Sequence, residues 1–316
     1  MIVTLTPNPS IDRTVSVPTL EHGEVNRASG SRIDPGGKGI NVARALATNG
    51  TEALAVLPSG GPEGHLLQAL LRRSGTAYTA VPIAGTTRMN IAVIEPDGTT
   101  TKLNEPGPTL SADEFDALLA TVDNHLDPDL RWIVGCGSLT PGMPEGIYAD
   151  LVRRGHAHGI KVAIDSSGAP FTAAVPAGPD LIKPNHEELE ELVGRPLHTL
   201  AEVGEAARTL VDGGIETVIV SLGKHGALLV NAVAVAHAIA HVAHPVSTVG
   251  AGDSLVAGYL HAVCRGAGPR EALATGVAWG AAAVSLPGSR MPGPDDIAAI
   301  TVTSTDTPDL TLSLTD

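Results

Sequence analysis

Asp253 stands in the run Thr248-Val249-Gly250-Ala251-Gly252-Asp253-Ser254-Leu255. Gly250 and Gly252 permit a tight turn whose backbone N–H groups converge, and Leu255, Tyr259, Leu260 and Val263 follow at helical spacing up to Gly266. Such a helix aims the positive end of its dipole at the turn, a good seat for a phosphoryl group. A carboxylate beside an anion hole repels phosphate, so Asp253 fits there chemically as the acceptor of a proton from an attacking hydroxyl. An Asp at a helix start is also an ordinary N-cap, and the motif alone leaves both readings open.

Three further stretches carry groups of the same chemistry. In Asp34-Pro35-Gly36-Gly37-Lys38-Gly39-Ile40-Asn41-Val42-Ala43-Arg44, glycines bracket a lysine just before a helical pattern that ends at Gly50. Backbone N–H groups and the Lys38 ammonium can face one anionic or hydroxylated ligand there, although a glycine-rich connection can also be purely structural. It is not a Walker loop, because Gly39 occupies the place that needs a hydroxyl. In Lys183-Pro184-Asn185-His186-Glu187-Glu188, Asn185 and Glu188 lie three apart on a first helical turn and can reach one Mg²⁺ or its waters. The same spacing is a capping box. Ser221-Leu222-Gly223-Lys224-His225-Gly226 leaves a strand for a Gly-bounded turn that suits nucleotide phosphates or ribose, and equally suits a plain hairpin. Metal and redox patterns are weak by comparison. His237, His241 and His244 sit in a Val-Ala alternation that favours strand, His186-Glu187 has Glu190 where a zinc motif needs His, and Gly135-x-Gly137 has Thr140 where the dinucleotide fingerprint needs Gly.

The elements that must position these groups alternate. Short apolar runs at Ile2 to Leu5, Trp132 to Gly135, Lys161 to Asp165, Leu181 to Ile182, Thr217 to Ser221 and Gly226 to Val230 read as strands. Helical segments such as Gly146 to Gly155 and Leu200 to Gly213 lie between them, which predicts a mostly parallel sheet wrapped by helices. Ile11 to Ile33 and Thr87 to Leu103, the latter with Glu95-Pro96-Asp97-Gly98 at its middle, read instead as strands joined by tight turns and predict a small second sheet over the first. Residues 1–300 are expected to form one domain, with the polar stretch Thr301 to Asp316 as a tail or edge strand.

Composition narrows the partners. With 20 Lys and Arg against 34 Asp and Glu, the formal charge is −14, which disfavours nucleic acid and anionic membrane surfaces. Only 7 of 316 residues are aromatic (Phe 2, Trp 2, Tyr 3), so the core must be Ala, Val, Leu and Ile, the mix of helices on a parallel sheet. Two distant cysteines, Cys136 and Cys264, make no disulfide framework. With no basic and apolar leader at Met1 and no membrane-length apolar run, the chain reads as cytoplasmic.

Taken in order, the four stretches resemble the ribokinase-like (PfkB) carbohydrate kinases: Gly-Gly-Lys-Gly-Ile-Asn-Val-Ala-Arg is similar to that family's first signature and Thr-Val-Gly-Ala-Gly-Asp-Ser to its second. Thr6-Pro7-Asn8-Pro9-Ser10-Ile11-Asp12, Asn26-Arg27, Thr87-Arg88-Met89-Asn90, Asn104-Glu105-Pro106-Gly107-Pro108 and Gly137-Ser138-Leu139 resemble its phosphosugar branch. The resemblance implies a ribokinase-like three-layer α/β/α domain with a small β-sheet lid. It also implies ATP-dependent phosphorylation of fructose 1-phosphate at its C6 hydroxyl, with tagatose 6-phosphate or fructose 6-phosphate as the runner-up. Asp253 would be the base and Gly250, Ala251 and Gly252 the anion hole. Asp12, Arg27, Gly36, Gly37, Lys38, Asn41, Arg88, Asn90 and Ser138 would hold the sugar and its phosphate. Lys183, Asn185, Ser221, Gly223 and Gly226 would serve ATP, with Asn185 and Glu188 holding Mg²⁺ through water. A monovalent cation near Ser247, Val249, Gly288 and Arg290, a homodimer formed through the lid, and an adenine pocket near Trp279 to Ser285 complete the expectation. A non-catalytic sugar-phosphate sensor is the rival from another class.

Overall fold

The computed structural model describes residues 1–315. Its first strand, Ile2–Leu5 (β1), is buried along its whole length, the condition of a central strand covered on both faces. The chain leaves for Ser10–Ser16 (β2) and Gly30–Gly36 (β3), then returns through helix Lys38–Thr48 (α1) to Ala53–Ser59 (β4), and through Gly61–Arg73 (α2) to Ala77–Pro82 (β5). A second excursion forms Arg88–Ile94 (β6) and Thr100–Asn104 (β7) before helix Ala112–Asp123 (α3), started by a Ser111/Glu114 capping box, leads to Trp132–Cys136 (β8). Strands and helices then alternate: Ile147–Ala157 (α4), Lys161–Asp165 (β9), Gly168–Ala174 (α5), Leu181–Ile182 (β10), His186–Val193 (α6), Leu200–Asp212 (α7) and Thr217–Ser221 (β11). Ala227–Asn231 (β12) and Val235–Ala240 (β13) precede Ala251–Cys264 (α8), Pro269–Val284 (α9), Pro294–Ala298 (α10) and a last strand, Val302–Thr305 (β14).

The larger sheet runs β14-β13-β12-β11-β10-β9-β8-β1-β4-β5. All pairings from β11 through to β5 are parallel, and those from β11 to β14 are antiparallel. One face is covered by α1, α2, α8 and α9 through Ile40, Leu67, Leu260 and Trp279, the other by α3 to α7 through Leu118, Tyr148, Leu189 and Val203. This is the three-layer α/β/α arrangement that the alternation predicts. The smaller sheet has the order β3-β2-β6-β7, with β2 and β6 parallel and the outer pairs antiparallel.

One expectation is corrected here and two are met. Strand structure covers only the two ends of Ile11 to Ile33; residues 17–29 form a loop rather than a tight turn, whereas the Asp-Gly turn after β6 is tight, with Gly98 N–H donating to the Glu95 carbonyl at 2.9 Å. The Val-Ala alternation around His237, which favours strand, is β13 of the main sheet. Of the two readings of the polar C-terminal stretch, tail or edge strand, the structure has the edge strand: β14 pairs with β13, and Leu312 carbonyl accepts from Leu200 N–H at 3.0 Å. Asp316 lies outside the described residues. Among the described residues no helix is long and apolar enough to cross a membrane.

Candidate active site

The strand order reverses at β1, whose neighbours are β8 and β4. In a parallel sheet, side chains at the carboxyl ends of strands next to such a reversal converge on a crevice. Thr6 and Asn8 after β1, Cys136 to Ser138 at the end of β8, Asp165 at the end of β9 and Lys183 after β10 line one cavity of about 480 Å³. The inner face of the small sheet closes it from above with Ser10, Asp12, Arg88 and Asn90, and the N-termini of α1 and α8 bring Gly37, Lys38, Asn41, Gly250, Gly252 and Asp253.

Asp253 is not the cap of its helix. Gly250 takes that place with φ 77°, in the left-handed region where a side chain is strained, and no side chain accepts from the free N–H groups of the first turn. The Asp253 carboxylate, 6% exposed, instead accepts one hydrogen bond from Asn41 Nδ2 at 2.9 Å. Burial, and then the charge of Asp165, push its pKa up to about 6 against the opposing pull of Lys38, Asn41 and Lys183. A carboxylate so placed is an effective proton acceptor near neutral pH.

Asp165 organises the cations. Its Oδ1 takes Lys38 Nζ at 3.0 Å and faces Lys183 Nζ at 3.4 Å, while Oδ2 is buried without a partner. Burial works to raise its pKa, but the two lysines outweigh this and hold it low. For Lys38, burial works to lower the pKa and is outweighed by Asp165, Asp253 and Glu188, so the ammonium stays charged. The lining holds three cations (Lys38, Arg88, Lys183) against four carboxylates (Asp12, Asp165, Glu188, Asp253). That balance repels a polyphosphate unless a metal ion accompanies it, and hard oxygen donors of this kind suit Mg²⁺. Among the described residues no group of three or more His, Cys, Asp or Glu stands together as a metal cluster.

The lid half is a polar network. Ser10 Oγ donates to Asp12 Oδ1 at 2.7 Å, and Asn90 Nδ2 donates to both Ser10 Oγ and Asp12 Oδ1 at 3.1 Å. A Cβ on Gly36 would lie 2.3 Å from Asp12 Oδ1, so only glycine lets the carboxylate lie across β3. Arg88 is braced by the Glu105 and Asn8 carbonyls at 2.9 and 3.0 Å, and Asn8 in turn donates to the carbonyls of Pro106 and Leu139 and to Ser138 Oγ. Arg88 is thereby a rigid cationic fork at the cavity wall.

Beside it lies a second cavity of about 750 Å³ sharing Asn185, Ser221, Thr248 and Gly252 with the first. Gly223 and Gly226 line its near side, and Leu222, Val242, Leu255, Val277, Ala281 and Val284 give it apolar walls. Such a slot accepts a flat heteroaromatic ring. Asn185 and Glu188 do form the capping box, Asn185 Oδ1 accepting from Glu188 N–H at 2.7 Å and Glu188 Oε2 from Asn185 N–H at 2.8 Å, and both still line the first cavity. The Ser221 to Gly226 stretch is likewise both the β11–β12 hairpin turn and part of the cavity wall.

Three sequence expectations shift. Arg27 is exposed in the loop between β2 and β3 and lines neither cavity. Trp279 is 3% exposed, packed against Gly258 and tilted on His261, so Gly280, Ala281 and Val284 of the expected stretch face the slot and the indole does not. His237 Nε2 bonds the His225 carbonyl at 2.8 Å within the sheet, the structural role that the strand alternation already favours. The cation-loop residues divide: Val249 lines the first cavity, whereas Arg290 is paired with Asp296 at 3.7 Å. Asp165 is the cavity residue that motif reading misses, while Asn8 and Arg44 stand in quoted motifs that gave them no role. Asp165 closes a strand, and the rule that strand carboxyl ends carry function is the signal that finds it.

Residues 6–296 match the model of the pfkB family carbohydrate kinases, and the chain belongs to that family. It is 37% identical over 305 residues to the 1-phosphofructokinase of Rhodobacter capsulatus, covering 96% of both chains. It is 35% identical over 302 residues to the ATP-dependent 6-phosphofructokinase isozyme 2 of Escherichia coli, covering 95% of this chain and 97% of that one. The crystal structure of phosphofructokinase-2 from Escherichia coli in complex with substrates and products superposes with a TM-score of 0.90 at 35% identity, over 94% of this chain and 97% of that one.

Proposed function

We propose that the protein transfers the γ-phosphoryl group of ATP to the C6 hydroxyl of fructose 1-phosphate, giving fructose 1,6-bisphosphate and ADP. The observation that carries this reading is the place of Asp253: a buried carboxylate with one side-chain partner, at the amino end of α8, where a polar cavity meets an apolar slot. In the mechanism, Asp12, Gly36, Gly37 and Asn41 hold sugar hydroxyls, and Arg88, with Lys38, Asn90 and Ser138, binds and orients the ester phosphate. Arg27 would reach a sugar only from a second protomer docked through the lid, which fits the proposed homodimer. Asp253 takes the C6 proton as the hydroxyl oxygen bonds to the γ-phosphorus, and the bond from that phosphorus to the β–γ bridging oxygen breaks with its electron pair leaving on ADP. The N–H groups of Gly250, Ala251 and Gly252 stabilise charge spreading over the transferred oxygens. Lys183 steadies the triphosphate, while the Ser221, Gly223 and Gly226 turn lies along the nucleotide. Asn185 and Glu188 would hold Mg²⁺ through water, and the ion when bound would neutralise charge on the phosphates. A monovalent cation beside Ser247, Val249 and Gly288 belongs to the same proposal. Covalent work by the chain is small, and positioning supplies the rate.

Fructose 6-phosphate is the second reading, favoured by the 6-phosphofructokinase relatives. A sensor has no use for Asp253. The test is ³¹P NMR of fructose 1-phosphate incubated with Mg-ATP. A new C6 phosphomonoester with wild type and none with a folded Asp253→Asn variant is expected. ADP formed without a new sugar ester would overturn the assignment.

A further inference from the structure

Asn41 sits between a cation and an anion. Its Nδ2 donates to Asp253 Oδ2 at 2.9 Å, and its Oδ1 accepts from an Arg44 terminal nitrogen (NH1) at 3.3 Å. The same nitrogen donates to the carbonyls of Pro35 at 3.3 Å and Ser289 at 3.1 Å, which joins α1, β3 and the loop after α9. A guanidinium only donates and an ionised carboxylate only accepts, so an amide between them has one satisfactory orientation. An unconstrained amide beside Asp253 can turn its carbonyl toward the carboxylate, and that arrangement favours the protonated acid.

We propose that Arg44 is a positioning residue for the reaction: by engaging the carbonyl end of Asn41 it fixes the amino end on Asp253 and keeps the base ionised and aimed. Arg44 touches no reacting atom in this scheme and acts through Asn41. Its place is set by the helix, since residues three apart on α1 share a face and Arg44 lies one turn behind Asn41. The other groups facing Asp253 are Asp165 from β9, Lys38 from α1 and Lys183 after β10. None of them contacts the Asn41 amide, so they do not set its orientation. The inference rests on the reading of Asp253 as the base.

The test is the pH profile of kcat with fructose 1-phosphate and Mg-ATP for wild type, Arg44→Met, Asn41→Ala and the double variant, with melting temperatures alongside. Arg44→Met is expected to lower kcat at pH 7 roughly tenfold or more, with a smaller change in KM. Its acid limb should move to higher pH by roughly one unit, the scale of losing one hydrogen bond to a charged group. In the Asn41→Ala background the same change should cost little further kcat, the signature of action through Asn41. An unmoved acid limb with fully additive losses overturns the proposal and leaves Arg44 a structural brace. If Arg44→Met does not fold, Arg44→Lys decides by the same limb: a smaller shift in the same direction supports the proposal, and an unchanged profile with lowered stability overturns it. Absence of sugar-dependent turnover in wild type would instead refute the kinase reading.

Discussion

Asp253 and Asp165 lie in one cavity with opposite shifts, and this division gives them opposite effects on stability. Asp253 has its pKa pushed up to about 6 by burial and by Asp165, so folding favours its protonated form and its contribution to stability is lost as pH rises through that value. Asp253→Asn should therefore melt no lower than wild type at pH 7.5, while turnover falls roughly 10² or more, the scale of a lost general base. Wild-type kcat should fall as pH drops through about 6, where the base protonates. A destabilised Asp253→Asn, or one that turns over normally, contradicts the assignment. Asp165 is held low by Lys183 and Lys38, so its stabilisation is present at neutral pH and lost on acidification. Asp165→Asn leaves Lys183, 5% exposed, without its carboxylate and should cost about 3 kcal/mol in denaturant unfolding at pH 7, the scale of breaking a buried ion pair. Unfolding at the wild-type midpoint would show that the lysines find other partners.

At the scale of elements, the polar strand β14 covers the free edge of β13, and Ala240 at the end of β13 lines the nucleotide slot together with Val277 and Ala281 of α9. Ending the chain after Ile300 should lower the melting temperature by several degrees and promote association through the bared edge. It should also raise KM for ATP several-fold while KM for the sugar phosphate holds. Equal effects on both substrates would mean that the strand supports the whole domain rather than the slot. The elements differ in how legible they are. The strands from β8 to β12 announce themselves as apolar runs between helical patterns. β14 is Thr and Ser, with little apolar signal, and only its pairing with β13 makes it a strand. The loop at 17–29 contains no hairpin turn of two residues, so periodicity gives its ends but not its path. Trp279 opens the stretch expected to form the adenine pocket, yet its fit against Gly258 is a tertiary fact that no local pattern carries. The anion-hole turn, Lys38, Asn41 and the Asn185/Glu188 pair were legible because each lies in a short motif whose spacing has chemical meaning. Asp165 lies in no such motif and takes its partner Lys38 from 127 positions away, while Asn8 and Arg44 stand inside motifs that gave them no role, and the fold alone brings their partners Leu139 and Ser289 from 131 and 245 positions away.

Over the whole molecule, the two sheets divide the work. The larger sheet brings strand ends, the proposed anion hole and the proposed nucleotide slot to one crevice, and the smaller sheet lays Asp12, Arg88 and Asn90 over it. A cover of this kind excludes water from the transferred group and so favours the sugar hydroxyl over hydrolysis. In a chain of formal charge −14, Arg88, Lys38 and Lys183 are the cations that line the cavity, and Asp165 engages the two lysines, which leaves Arg88 as the cation best placed to take an anionic sugar ester. The most direct measurement is ADP release with Mg-ATP and fructose 1-phosphate, fructose 6-phosphate or tagatose 6-phosphate in parallel, with a control lacking sugar. The highest kcat/KM is expected for fructose 1-phosphate, with little release in the control. A higher kcat/KM for one of the 6-phosphates would contradict the substrate assigned here, and no sugar-dependent release from folded, ATP-binding protein would contradict the kinase itself.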